Sequence, residues 1–207
     1  MIPVVLLALL ATPAASQMIR QCACSEVDPC LHQADDGFLQ CADQCQNHIT
    51  EFGGSYAQMR QCILAEKTQI HNAIQCQQNN LANSCTKTGY GMVLKRYSET
   101  LKLAAFTEIN SILKKSGIQA EAKTFFAIGK KFGQCVIHCL EHSHHGNCVK
   151  KLDCGLDLPA DHILVEETKQ CAIRSGFNTP NVRQICNCVA NSGLSQLAPL
   201  CNRIIIE

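Results

Sequence analysis

The sequence predicts an all-α, disulfide-rich protein, and three observations lead to this fold class. There are 16 cysteines, an even number, and all of them follow an N-terminal apolar run. Apolar residues recur at spacings of three and four through most of the chain, whereas the period-two alternation of β-strands appears nowhere at length. A Cys-x-x-x-Cys phrase also occurs twice, at Cys41–Cys45 and at Cys135–Cys139. On a helix this spacing places both sulfurs on one face.

The two copies of this phrase share a third residue. Phe38 precedes Cys41 by three positions, and Phe132 precedes Cys135 by the same distance. A residue three positions away lies on the same face of a helix. Each copy is therefore predicted to be a helix that presents an aromatic ring and two thiols to a partner segment, to which disulfides would link it.

The N-terminal residues predict export from the cell. Pro3–Ala11 is an apolar run of the length found in signal peptides, and Ala14–Ser16 offers the small residues that a signal peptidase recognises. We therefore expect a signal peptide over residues 1–16 and a mature chain that begins at Gln17. A membrane-spanning helix needs about 20 apolar residues. This run is too short, so the sequence predicts a secreted, extracellular protein with no membrane span.

An oxidising compartment makes the cysteines disulfide partners rather than metal ligands or nucleophiles. The spacing leaves the pairing open, because eight cysteines in one half alone permit 105 connectivities. The disulfide candidates are all of the cysteines in the chain: Cys22, Cys24, Cys30, Cys41, Cys45, Cys62, Cys76, Cys85, Cys135, Cys139, Cys148, Cys154, Cys171, Cys186, Cys188 and Cys201.

The cysteine distribution divides the mature chain into three parts. Residues 17–87 and 134–207 each hold eight cysteines, and the connector at 88–133 holds none. Together with the repeated phrase, this symmetry suggests two related cysteine-rich helical halves. The connector is basic, with a net charge of +5, whereas the two halves carry −3 and −1.

Local signals place the helices of the N-terminal half. One helix is expected from Phe38 to about Ile49, and Gly53–Gly54 breaks it. Ser55 with Gln58 three residues later forms a capping box at the start of the next helix. Cys62 and Cys76 lie fourteen residues apart, close to four turns, and so share one stripe of that helix.

The connector and the C-terminal half are also predicted to be helical. Apolar residues keep a helical rhythm from Leu94 to Leu113 and again from Ala122 to Cys139. Another helix is expected from Asp161 to Ser175, and Thr179 resembles an N-cap before a first-turn proline. The apolar segment 194–206 is expected to pack back on the body.

The most suggestive cluster of polar side chains is histidine-rich. His138 and His142 are spaced i, i+4, and such pairs can chelate zinc or copper. However, Cys139 occupies the position where a zinc protease has its glutamate. A solvated loop is therefore the favoured interpretation, no cofactor is predicted, and the weak metal candidates are His138, His142, His144 and His145.

Other functional classes have little support in the sequence. Hydrolase motifs such as Gly-x-Ser-x-Gly and His-Glu-x-x-His are absent, so we expect no enzyme and no catalytic residue. The net charge of +1 gives no general attraction to nucleic acid. Three Ser-Gly dipeptides, at Ser116, Ser175 and Ser192, lack the acidic neighbours that usually accompany glycosaminoglycan attachment.

The cysteine pattern resembles a known family. The two Cys-x-x-x-Cys helices, the intervals Cys45–Cys62 and Cys154–Cys171, and the closing stretch 185–204 are similar to nematode secreted proteins with the chondroitin proteoglycan four type of cysteine-rich domain. This resemblance implies an extracellular matrix, eggshell or body-surface protein, and it carries over no catalytic residues. The chain departs from proteoglycan character because it lacks a Ser-Gly region with acidic flanks.

Two functional hypotheses follow from these patterns. The first is a non-enzymatic extracellular structural or interaction protein, with a protein or glycan partner, whose disulfides keep its helices rigid for docking. The second is a secreted carrier of a small ligand such as a lipid, or a helical effector or inhibitor. A carrier would need an apolar cavity, for which the sequence offers Phe125, Phe126, Ile109 and Ile112.

Overall fold

The computed structural model describes residues 17–31, 37–142 and 151–207. In these ranges the chain forms ten α-helices, one short 3-10 helix and a two-stranded sheet, so the predicted helical, disulfide-rich fold class is confirmed. The expected signal peptide at 1–16 lies outside the described residues. So do three of the candidate site residues, His144, His145 and Cys148.

The helices are numbered here in chain order. They are α1 (Cys24–Leu31), α2 (Gly37–Gln44), α3 (Asn47–Thr50), α4 (Tyr56–Ala65), α5 (Lys67–Asn80), α6 (Ser98–Lys115), α7 (Lys123–His142), α8 (Asp161–Arg174), α9 (Thr179–Asn191) and α10 (Ala198–Cys201). The two strands are β1 (Met18–Arg20) and β2 (Met92–Leu94). Within the described ranges, no helix combines the length and apolar content that crossing a membrane requires.

Helices α2 and α7 are joined twice, through the repeated cysteine phrase. Cys41 bonds to Cys139 and Cys45 bonds to Cys135. The first cysteine of one copy pairs with the second cysteine of the other, so the two helices run antiparallel. The partner segment predicted for each copy is therefore the other copy.

Most of the described disulfides join the two cysteine-rich regions to each other. Five of the seven link residues 17–87 to residues 134–207, and only Cys24–Cys85 and Cys186–Cys201 remain within one region. Cys30 is disulfide-bonded as well, and no described cysteine is a free thiol. The two regions are therefore covalently interleaved. The other three links between them are Cys22–Cys154, Cys62–Cys188 and Cys76–Cys171.

The apolar core is small and lies between α2, α3, α4 and α7. Its buried members include Ile49, Met59 and Val136, and Phe125 and Phe132 pack against them from α7. Among the described residues, the largest side chains that are less than 2% exposed are four cysteines and one serine, Cys22, Cys45, Cys171, Cys201 and Ser192. Cysteine therefore supplies four of the five largest fully buried side chains of the described residues.

The short antiparallel ribbon was not predicted. Met18 pairs with Leu94 and Ile19 pairs with Val93. A Cβ atom at Gly155 would lie 2.7 Å from Ile19 Cδ1, so the ribbon packs closely on that glycine. The sequence analysis placed Leu94 in the following helix, and this was wrong. Leu94 pairs with Met18 of β1 as a strand residue, and α6 begins only at Ser98.

Several predicted helix boundaries need correction. The helix expected from Phe38 to Ile49 is two helices, since α2 ends at Gln44 and α3 begins at Asn47. The long helix after Ser55 is likewise divided at Glu66. Ser55 Oγ accepts from Gln58 N at 3.4 Å, as the predicted cap requires. The N-cap of α9 is Asn178 rather than Thr179.

A charged cluster connects α2 to α4. Tyr56 Oη donates to Asp43 Oδ1 at 2.7 Å, and Arg60 Nε donates to the same oxygen at 2.8 Å. The hydrogen bonds from Arg60 and then from Tyr56 lower the pKa of Asp43 below its ordinary value. Burial and the hydrogen bond to Asp43 raise the pKa of Tyr56. This cluster fixes the crossing of the two helices beside the core.

We expect Asp43→Asn to destabilise the protein at neutral pH by less than about 1 kcal/mol, because the ion pair is partly exposed to solvent. The folded state lowers the pKa of Asp43, so its contribution is present above the unfolded value of about 3.9 and is lost as the pH falls through the folded value. The difference in unfolding free energy between wild type and variant should therefore shrink below about pH 4. Urea unfolding at a series of pH values measures it, with Asp157→Asn, an exposed carboxylate, as the matched control.

Candidate functional site

An apolar groove lies between α2, α4, α5 and the end of α7. Its volume is about 780 Å³, which falls within the range of about 300–1,000 Å³ that is usual for small-molecule sites. Seven of its ten lining residues are apolar. The lining residues are Phe38, Leu39, Ile63, Leu64, Lys67, Thr68, Ile70, His71, Ile74 and Leu140.

Disulfides fix the walls of this apolar groove. Cys41–Cys139 joins α2 to α7 beside Leu140, which follows Cys139 directly. Cys62–Cys188 ties α4 to α9 one residue before Ile63, and Cys76–Cys171 ties α5 to α8 two residues after Ile74. A surface whose walls are held in place in this way loses little conformational entropy when a ligand binds.

The groove exists because α5 is only partly covered. No residue of α5 is fully buried, although Ile70 and Ile74 form an apolar pair at i, i+4 spacing. The other side of the helix packs against α8, to which Cys76 is bonded. The apolar pair therefore remains half-exposed and forms one wall of the groove.

The polar residues of the groove lie together on α5. Lys67, Thr68 and His71 line it, and Lys67 and His71 are one turn apart. No described carboxylate lines the groove. The neighbouring Glu66 directs its carboxylate to Asn181 of α9, whose Nδ2 donates to Glu66 Oε2 at 3.1 Å. The groove is therefore apolar along its walls and positive at one edge.

Comparisons with protein-family models, with curated proteins and with solved structures found no match for this chain. The resemblance to the chondroitin proteoglycan four type of domain therefore stays a prediction, and functional inference depends on the geometry of the described residues.

The two described candidate histidines contact each other. The rings of His138 and His142 have centroids 4.1 Å apart, and His142 Nδ1 lies 2.8 Å from the carbonyl oxygen of His138. Nδ1 can contact this acceptor only as a donor, so it is not available to a metal in that arrangement. In the part of the chain that the structure describes, no three His, Cys, Asp or Glu side chains converge on a position suited to a metal ion.

The cavity residues suggested by the sequence lie elsewhere. Phe125 packs against the core, and Ile109 is 40% exposed on α6. Ile112 is half-buried, and the side chain of Phe126 lies outside the described part. The groove is instead built around Ile70 and Ile74. Their helical spacing was visible in the sequence, but their half-exposed position in the described part of the fold was not.

A second, more polar cleft lies between α6 and α8, with a volume of about 510 Å³. Glu108, Asp161 and His162 are among its lining residues. Beside it, Lys169 Nζ contacts Glu166 at 2.7 Å and Glu108 at 2.9 Å. The hydrogen bond with Glu166, and then that with Glu108, raise the pKa of Lys169. The ion pair between Lys169 and Glu108 ties α8 to α6 and gives this region a structural role.

Two of the three Ser-Gly serines are buried and hydrogen-bonded. Ser116 Oγ accepts from Ile205 N at 2.9 Å, and Ser192 Oγ donates to Val189 O at 2.6 Å. Attachment of a glycosaminoglycan to either hydroxyl would break these contacts. Ser175, the C-cap of α8, is half-buried and is the most accessible of the three.

Proposed function

We propose that this protein is a secreted, non-enzymatic binding protein that carries a small apolar or amphipathic ligand in the groove between α2, α4, α5 and α7. The observation that carries the proposal is an apolar groove of about 780 Å³ whose walls are fixed by disulfides. Extensive disulfide bonding is typical of extracellular proteins. The absence of hydrolase motifs from the sequence supports the non-enzymatic part of the proposal.

Burial of apolar ligand surface supplies the affinity in this proposal. Each methylene group transferred fully from water contributes about 0.8 kcal/mol. The disulfides lower the cost of binding because the groove does not have to form when the ligand arrives. Ligand binding also explains why a protein with a small core would keep apolar side chains half-exposed, because the ligand buries them when it binds.

We expect the non-reduced, mature protein to bind the neutral fluorescent probe N-phenylnaphthylamine saturably. Ile74→Gln should weaken binding about fivefold, since it replaces apolar contact at the groove wall with a polar group. Ile109→Gln is the matched control, because Ile109 is also partly exposed on a helix but lies on α6, away from the groove. Fluorescence titration measures both variants. No saturable enhancement with the wild type, or equal weakening by the two substitutions, would contradict the proposal.

A second candidate is a structural or interaction protein with an extracellular protein or glycan partner. It is favoured by an apolar patch on and beside the β-ribbon, where Tyr90 is 89% exposed and Met92 is 60% exposed. Met18, Leu94 and Tyr97 extend this patch. Aromatic and methionine side chains are enriched at protein interfaces. This second function can be tested by passing the protein over immobilised extracellular proteins and glycans. A ligand that retains the wild type but not Tyr90→Ser would support it.

A further inference from the structure

We infer that the ligand of the apolar groove is a long-chain amphiphile with one negative charge, such as a fatty acid, whose anionic head group contacts Lys67. This inference rests on the proposed function and adds the chemical class of the ligand. It depends on three observations: the aliphatic walls, the position of Lys67, and the ion pairing of the surrounding charges.

The walls match an alkyl chain. Ile63, Leu64, Ile70 and Ile74 present aliphatic side chains from α4 and α5, and Leu140 presents another from α7. None of these side chains has a polar group for which a ligand would have to supply a partner. A flexible hydrocarbon chain can follow such a surface, because the hydrophobic effect is non-directional.

Lys67 gives the groove its polarity. It is the first residue of α5, its side chain is exposed, and it is the one lysine or arginine among the described lining residues. The four-carbon stem of a lysine can lie along an apolar surface while its ammonium group stays in water. An alkyl chain in the groove would therefore place its head group within reach of this ammonium.

Lys67 also differs from the cations that hold the fold together. Arg60, Lys102 and Lys169 each contact a carboxylate at 3.0 Å or less. Within the described ranges, Lys67 has no such partner. The residue before Lys67 is Glu66, whose carboxylate accepts a hydrogen bond from Asn181 on α9. The ammonium is therefore available to a ligand carboxylate, and no described carboxylate of the groove repels one.

Competition against N-phenylnaphthylamine tests the sign of the ligand charge. Dodecanoate should displace the probe about two- to fivefold more effectively than dodecyltrimethylammonium, the range expected for one partly exposed ion pair. Lys67→Gln should abolish this preference, which is measured as the ratio of the two displacement constants and so does not depend on the variant's own affinity for the probe. Lys87→Gln, which removes an exposed lysine away from the groove, should leave the preference intact. Affinity should also rise from octanoate to dodecanoate by up to about fourfold per methylene.

The outcomes separate the two proposals. If the probe binds but dodecanoate and dodecyltrimethylammonium compete equally, this inference fails. It also fails if Lys67→Gln still prefers dodecanoate. In both cases the proposal that the groove binds an apolar ligand is unaffected. If neither the probe nor dodecanoate binds, both proposals fail. If the protein cosediments with anionic vesicles but does not take up monomeric dodecanoate, it recognises a membrane surface, and the inference is overturned.

Discussion

Loss of both disulfides between α2 and α7 is expected to lower the free energy of unfolding by about 7 kcal/mol, more than twice the effect of losing either one. The variants are Cys41→Ala with Cys139→Ala, Cys45→Ala with Cys135→Ala, and all four substitutions together. Single removal should lower the melting temperature by about 5–10 °C and double removal by about 15–30 °C.

The reason lies in the size of the ring that each disulfide closes in the unfolded chain. While Cys45–Cys135 is intact, Cys41–Cys139 closes a ring of roughly ten residues, and its removal costs roughly 3 kcal/mol. When both are absent, the nearest described connection between the two regions is Cys22–Cys154. The ring then grows to roughly 40 residues, so the second removal costs more, roughly 4 kcal/mol.

Thermal unfolding followed by circular dichroism, without reductant, measures these differences. Cys186→Ala with Cys201→Ala is the control, because this disulfide closes a separate segment with a sequence separation of 15 residues. Its effect should add to that of either α2–α7 disulfide, since distant sites are usually additive. If the fourfold variant melts at the same temperature as the twofold variants, non-covalent packing and not the disulfides holds α2 against α7.

The sequence predicted which helix faces carry the cysteines, but not how they pair. The face follows from local geometry, because four residues make about one helical turn at Cys41–Cys45 and again at Cys135–Cys139. The pairing depends on which helices meet, and identical spacing in both copies is compatible with more than one arrangement. Five long-range links between the halves arise from tertiary packing that no local signal specifies.

The N-terminus of α9 illustrates the same limit on a smaller scale. Asn178 and Thr179 are both competent N-cap residues, and the following proline favours Thr179 because proline is preferred at the first helical position. In the structure, Asn178 Oδ1 accepts from Asn181 N, and Thr179 Oγ1 instead accepts from Ile206 N at 2.8 Å. The C-terminal segment therefore decides the cap. Its packing against the body was predicted, and this contact confirms it.

The groove was beyond sequence analysis for a related reason. The apolar spacing of Ile70 and Ile74 predicts a face that packs against something, and ordinarily that something is the core. Here α8 covers a different side of α5, so the apolar face stays half-exposed. The sequence equally does not show that Lys67, at its edge, has no carboxylate partner among the described residues, because ion pairs such as Lys169–Glu108 join residues 61 positions apart.

Gly193→Ala is expected to destabilise the protein by about 3 kcal/mol or more, the largest effect we expect from a single added methyl group. Gly193 follows the C-terminus of α9 with a φ of 104°, a conformation that favours glycine. A Cβ atom there would lie 2.6 Å from the carbonyl oxygen of Gly53 and 3.2 Å from Gly54 Cα. Both contacts are with backbone, which cannot move aside as a flexible side chain can.

This close approach connects two distant turns of the chain. Ser55 N donates to Ser192 O at the same place, so the turn before α4 and the turn after α9 form one backbone contact. Gly89→Ala is the matched control, because Gly89 also has a positive φ, 74°, but nothing lies within 4 Å of an added Cβ. It should cost only about 1 kcal/mol, from the backbone conformation alone. Equal losses in urea unfolding for the two variants would mean that the turns can separate without penalty, and that Cys62–Cys188 alone keeps α4 against α9.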